Sequence, residues 1–181
     1  VRQRNLPDSI TGSIVRLLVM QAVGKCLGLA SNYAASSEYP VDSLRSASFT
    51  SEYGLAASVM EAPVFNYVAR PQDAGVKYVQ DVIGPYDIFA IGRIYGGDKS
   101  APGRYCSYFS SRYDGRPSGD PFVAKGDLGN NHFKTLEYCS DNLKELFHNA
   151  LTWFSSEGED YSEVESILEG AADDYAVRIV H

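Results

Sequence analysis

The chain has 181 residues, 44% of them apolar and 22% charged, which fits a folded globular domain rather than a disordered segment. Its formal net charge of −7 gives no basis for binding nucleic acid or anionic lipid, both of which need a basic patch. No run of about 18 uncharged apolar residues occurs, so no membrane span is predicted.

In chain order, residues 8–29 read as the first helix. Pro7-Asp8-Ser9 opens it, Ile10, Ile14, Leu17 and Leu18 recur at helical spacing, and Gly28 is placed to end it. Residues 32–77 are broken by Pro40, Gly54, Pro63, Pro71 and Gly75 and read as a long irregular stretch, with short helical turns starting at Asp42-Ser43-Leu44 and Ser48-Phe49-Thr50. Gly84-Pro85 opens a helix to about Tyr95. Within the Gly-, Ser- and Pro-rich residues 96–131, the alternation in RYCSYFSSRY and the Asp114-Gly115 turn predict a small β-hairpin. Asn131 caps a helix whose apolar residues keep a 3.6-residue period from Leu136 to Phe154, with Gly158 beyond it. A last helix is expected from Ser162 to Ile179, with Ser162 and Glu165 as a capping box. The fold class is therefore mainly α with one small β element.

Cys26, Cys106 and Cys139 are odd in number and widely spaced, which is no disulfide framework; buried free thiols are the expectation, with one disulfide left open. The thirteen tyrosines suit either a glycan- or partner-binding surface or a core whose hydroxyls are paired. The acidic tail SSEGEDYSEVESILEGAADDY reads as a solvated helix face.

The informative segment is QAVGKCLGLASN, Gln21 to Asn32. It resembles the zinc helix of a bacterial metzincin family of metalloproteases with the pattern H-E-V-G-H-T-L-G-L-x-H-N, matching at Val23, Gly24, Leu27, Gly28, Leu29 and Asn32. In that pattern two histidines one helical turn apart grip a zinc ion, the chain turns at glycine so that a third completes the site, and the glutamate takes a proton from zinc-bound water. Here the three ligand positions hold Gln21, Lys25 and Ser31, and the general-base position holds Ala22. Glutamine is a poor zinc ligand, serine a rare one, protonated lysine repels the ion, and alanine accepts no proton. The likeness continues through PVDSLRS (40–46), SFT (48–50) and FNYVA (65–69). Ser58-Val59-Met60 stands at the family's Met-turn, followed by Glu61-Ala62 where the family has Asp-Tyr. GPYDIFAIGRIYG (84–96), GDLGNNHFKTLEY (126–138) and residues 142–162 are similar to its C-terminal segments.

The resemblance implies one metzincin-like domain over residues 1–181: a degenerate zinc helix (8–31), a Met-turn region (32–83) and a helical C-terminal part (84–181). The family's N-terminal β-subdomain, which holds peptide substrate, would lie ahead of this chain. It further implies an exported setting, periplasmic, cell-envelope or extracellular. Zinc is the family's cofactor, but no cofactor is expected where its ligands are lost. The function expected is that of a pseudo-protease that binds a peptide, glycan or protein partner, with a residual cleft at Lys25, Asn32 and Glu61. The alternative is an active zinc metallopeptidase or other hydrolase with an unrecognised site. Lys25 is expected either to reach solvent from the end of the helix or to pair its ammonium with the Glu61 carboxylate in place of the missing cation. The histidines offer no substitute metal site: His132 and His148 would stand roughly 24 Å apart on one helix, and His181 is terminal.

Overall fold

The computed structural model describes residues 6–62, 65–97, 99–106, 109, 120, 122–158 and 160–180. Among these the fold is mainly α, with no strand. The expected hairpin at Asp114-Gly115 lies outside the described residues.

Helix α1 spans Asp8–Cys26, three residues shorter than the apolar pattern suggests. Its end is set by Gly28 at φ 87°, a left-handed conformation that glycine adopts without penalty. The Gly28 N–H then bonds the Lys25 carbonyl and the Leu29 N–H the Gly24 carbonyl, which satisfies the last turn. Two 3₁₀ turns follow, Ser36–Glu38 and Val41–Arg45, and then the short α2, Ala47–Tyr53, capped by the Ser46 side chain. Both short helical turns expected from sequence therefore form. Helix α3 is Pro85–Tyr95.

Helix α4, His132–Phe154, begins under the Asn131 side chain, which accepts from the Lys134 N–H at 3.1 Å. Helix α5 runs Ser162–Val180. Ser162 lies inside its first turn rather than capping it. Asp160 takes that role, accepting from both the Ser162 N–H and its hydroxyl, a better anionic partner for the positive end of the helix.

Three apolar clusters hold these elements. The largest surrounds Tyr39, Leu44, Leu55, Val68 and Leu128 and gathers most of the irregular stretch. Tyr39, Phe49, Tyr53 and Tyr105 meet largely edge to face there, and the buried Tyr39 hydroxyl donates to the Tyr53 carbonyl. This group of tyrosines is thus core. The second cluster seats α1 through Leu17 on Val59, Met60 and Val79. The third joins α4 to α5 through Ala150, Phe154 and Val164. The opposite face of α1 is also apolar, with Val15, Leu18, Val19, Val23 and Leu27 exposed. Cys106 and Cys139 are buried, Cys26 is exposed, and all three are free thiols.

Buried side chains, not a sheet, satisfy the irregular backbone. Gln80 accepts from the Leu55 and Ala56 N–H groups and donates to the Ala56 and Val82 carbonyls. Asn66 donates to the Leu44 and Lys77 carbonyls. Asn142 on α4 donates to Tyr67 and Ala69. Such pairing is needed because an unpaired buried backbone group costs as much as a lost hydrogen bond.

Gly84 fits against this backbone so closely that a Cβ there would lie 2.0 Å from the Ala57 carbonyl oxygen and 2.6 Å from the Ser58 nitrogen. Gly84→Ala must therefore push α3 off the 57–58 segment. A loss of about 1–3 kcal/mol or more is expected, read as a lower midpoint in urea denaturation.

Candidate functional site

The turn at Ser58-Val59-Met60 is organised by one carboxylate from α3. Asp87 accepts from the Ser58 hydroxyl at 2.5 Å, from the Val59 N–H at 2.8 Å and from the Gly84 N–H at 3.0 Å. Burial pushes the Asp87 carboxyl above its ordinary range, against the opposing pull of these three bonds. The Ser58 hydroxyl in turn accepts from the Met60 N–H at 3.0 Å.

Helix α1 crosses over this turn. Gly24 permits it: a Cβ at that position would stand 2.7 Å from the Met60 sulfur. The Met60 carbonyl accepts from the Asn32 N–H at 2.9 Å, so the chain leaving α1 is tied to the same turn. Gln21, at the first ligand position of the zinc-helix pattern, donates to the Val59 and Glu61 carbonyls, both at 2.9 Å. The side chain that stands where the pattern has a histidine thus pins the helix to the turn.

The other positions singled out in the sequence do not converge. Ala22 and Lys25 are exposed, Ser31 is half-buried, and Asn32 is buried with its side-chain oxygen accepting from the Ala34 N–H at 3.3 Å. Lys25 forms no ion pair with Glu61. The Glu61 carboxylate instead turns inward, accepting from the Ala62 N–H at 2.7 Å and the Ser36 N–H at 3.3 Å. Lys25 is thus exposed, while Asn32 and Glu61 are buried. The ligand positions fit a zinc ion poorly: glutamine and serine are weak ligands, and the Lys25 ammonium carries a like charge. Among the described residues no three His, Cys, Asp or Glu side chains come together as a metal site.

The group that does converge was not foreseen. Ser36 joins two buried carboxylates: its N–H reaches Glu61, and its hydroxyl donates to Asp127 Oδ1 at 2.6 Å. Among the described residues no hydrogen bond reaches Asp127 Oδ2, and His132 Nδ1 stands 3.9 Å from it. Burial, and then the neighbouring Asp127, push the Glu61 carboxyl well above its ordinary range; burial pushes Asp127 up to about 6. Asp127 and His132 line a cavity of about 560 Å³ between residues 124–127, the start of α4 and the end of α5. The only hint of this group in the sequence is Glu61 itself, which departs from the aspartate of the family pattern.

The family model described as Met-zincin matches residues 3–181, and the chain belongs to that family. It is thereby a metalloprotease-related domain, of a family that implies zinc. No curated protein and no solved structure matches the chain.

The buried acids set a pH dependence. Glu61, Asp87 and Asp127 hold their protons more tightly folded than unfolded, so the folded state binds more protons in the window between the ordinary carboxylate range and the raised values. Their contribution is full below that window and is lost as pH rises through it. Asp42, Asp73 and Asp160, whose partners hold them low, act in the opposite sense but below the ordinary range. The denaturation midpoint is expected to fall from about pH 4 to about pH 7, with a shallower fall in Glu61→Gln and Asp127→Asn. An unchanged slope in both variants would remove the pair from the account.

Proposed function

We propose that this chain is a non-catalytic member of the Met-zincin family, a domain retained to bind a peptide, glycan or protein partner rather than to cut. The observation that carries this reading is Gln21. At the position of the first zinc ligand stands an amide whose NH₂ is committed to the Val59 and Glu61 carbonyls, in effect a staple between α1 and the Met60 turn. The general-base position is the methyl group of Ala22, and the second ligand position is the exposed cation of Lys25. A zinc peptidase needs an electron-pair donor at each ligand position and a proton acceptor beside the metal-bound water; Gln21 and Ser31 are weak donors, Lys25 as a cation is none, and Ala22 accepts no proton. The frame around them is kept: Gly24 above the Met60 sulfur, Gly28 at the end of α1, and Asp87 beneath the turn. No described helix is long and apolar enough to cross a membrane. The exported setting implied by the resemblance is part of this proposal.

Metal analysis of the purified chain, together with a broad peptidase assay, tests the reading. Zinc well below one ion per chain and no chelator-sensitive cleavage are expected; stoichiometric zinc with cleavage lost on chelation would defeat it. A structural Gln21 makes a second demand. Gln21→Ala should lower stability by about 1–3 kcal/mol, because two carbonyls lose their donor. A variant as stable as the parent would show that the side chain is dispensable.

A further inference from the structure

The cavity beside Asp127 is lined by no residue of α1, so what it can do is independent of the lost zinc ligands and of the proposed loss of catalysis. We propose that this cavity binds an ammonium group carried on an apolar stem, with Asp127 as the anion that receives the ammonium and Phe133, Leu136 and Val177 as the wall along which the stem lies.

Its volume, about 560 Å³, is in the range of small-ligand sites, which pair an apolar lining with a few placed polar groups. Asp127 is the polar group at the inner end. One of its oxygens is committed to the Ser36 hydroxyl at 2.6 Å. Its other oxygen is buried with no hydrogen-bond donor among the described residues, and His132 Nδ1 at 3.9 Å is beyond hydrogen-bond range. A buried carboxylate oxygen left without a donor is costly, and a ligand N–H would supply one. The His132 side chain lines the same cavity and is 37% exposed.

The charges around the cavity favour a cation over an anion. Arg178 is fully engaged: its guanidinium meets the Asp174 carboxylate through Nε and Nη2, Nη1 donates to the Gly126 carbonyl at 2.7 Å, and the group lies 3.8 Å from the centre of the Tyr67 ring. The Arg178–Asp174 pair is therefore neutral toward a ligand. Burial keeps the Tyr67 phenol protonated. Lys125 is exposed. Asp127 stands at the inner end, with Glu61 behind it across Ser36. An anion would meet the Asp127 carboxylate, whereas an ammonium would be paired with it.

Calorimetric titration of the full chain with benzylamine, benzyl alcohol and benzoate tests the proposal, since the three share a stem and differ in charge. At about pH 7.5 benzylamine should bind at least about tenfold tighter than the other two, the scale of a charge-assisted hydrogen bond. Because Asp127 must give up its proton to receive the cation, that preference should shrink as the pH falls below about 6, while benzyl alcohol binding stays level. Asp127→Asn should abolish the preference and leave benzyl alcohol binding in place. Nα-acetyl-lysine methylamide, titrated alongside, separates the sources of the ammonium: tighter binding than benzylamine points to a basic side chain of a peptide, weaker binding to a free amine. No benzylamine binding, equal affinity for the three compounds, or a preference that survives in Asp127→Asn would overturn the proposal. Should that variant fail to fold, a preference unchanged between about pH 5 and about pH 7.5 in the parent chain would overturn it equally.

Discussion

Between the end of α1 and the start of α3 the backbone folds with only short helical turns and no sheet among the described residues, so its buried polar groups depend on side chains. Asp87 is the central case. Its single carboxylate joins Ser58, Val59 and Gly84, and so fixes the turn that carries Met60 to the first turn of α3. Gln80 and Asn66 do the same for neighbouring segments. A buried hydrogen-bonded network of this kind is worth most when every member is satisfied, and losing one partner leaves the others exposed to the low dielectric of the core. The close seating of Gly84 on the Ala57 carbonyl belongs to the same arrangement, since only a residue without Cβ brings Asp87 within reach.

That frame also receives α1. In a metal-bearing relative, the ion would help hold the helix to the chain that follows it. Here the contact is made by the Gln21 amide, by the Asn32 N–H on the Met60 carbonyl, and by Leu17 packed with Met60 and Val79. Two hydrogen bonds to backbone carbonyls and a small apolar cluster are ordinary in strength, but they span the same gap. The Gln21 amide is thus one of the groups that join helix to turn.

The departure from Asp to Glu after Met60 has a different consequence. The longer side chain reaches back to the Ser36 and Ala62 N–H groups and stands behind Asp127. Burial raises both carboxyls, and the neighbouring Asp127 raises Glu61 further. Asp127 is held there because residues 124–130 are pinned from two sides, by the Thr135 hydroxyl on the Leu128 carbonyl and by Arg178 on the Gly126 carbonyl. The acid pair and the cavity are thus products of how α4 and α5 dock on the irregular segment.

The sequence by itself determined the helices and several of their ends, because these rest on neighbours within a few residues: Gly28 leaving α1, Pro85 opening α3, Asn131 capping α4. It also carried the family, through long matched segments. Where two local signals competed, as Ser162 and Asp160 did at the start of α5, the pattern alone did not choose. What only the tertiary structure decided was the direction of side chains from distant parts of the chain. The sequence left open whether Lys25 reaches solvent or pairs with Glu61; Lys25 faces solvent and Glu61 the core, where Ser36 joins Glu61 to Asp127. Those three come from separate segments of largely irregular backbone, where no period predicts which way a residue points. Their meeting is settled by packing, and packing is a property of the whole chain.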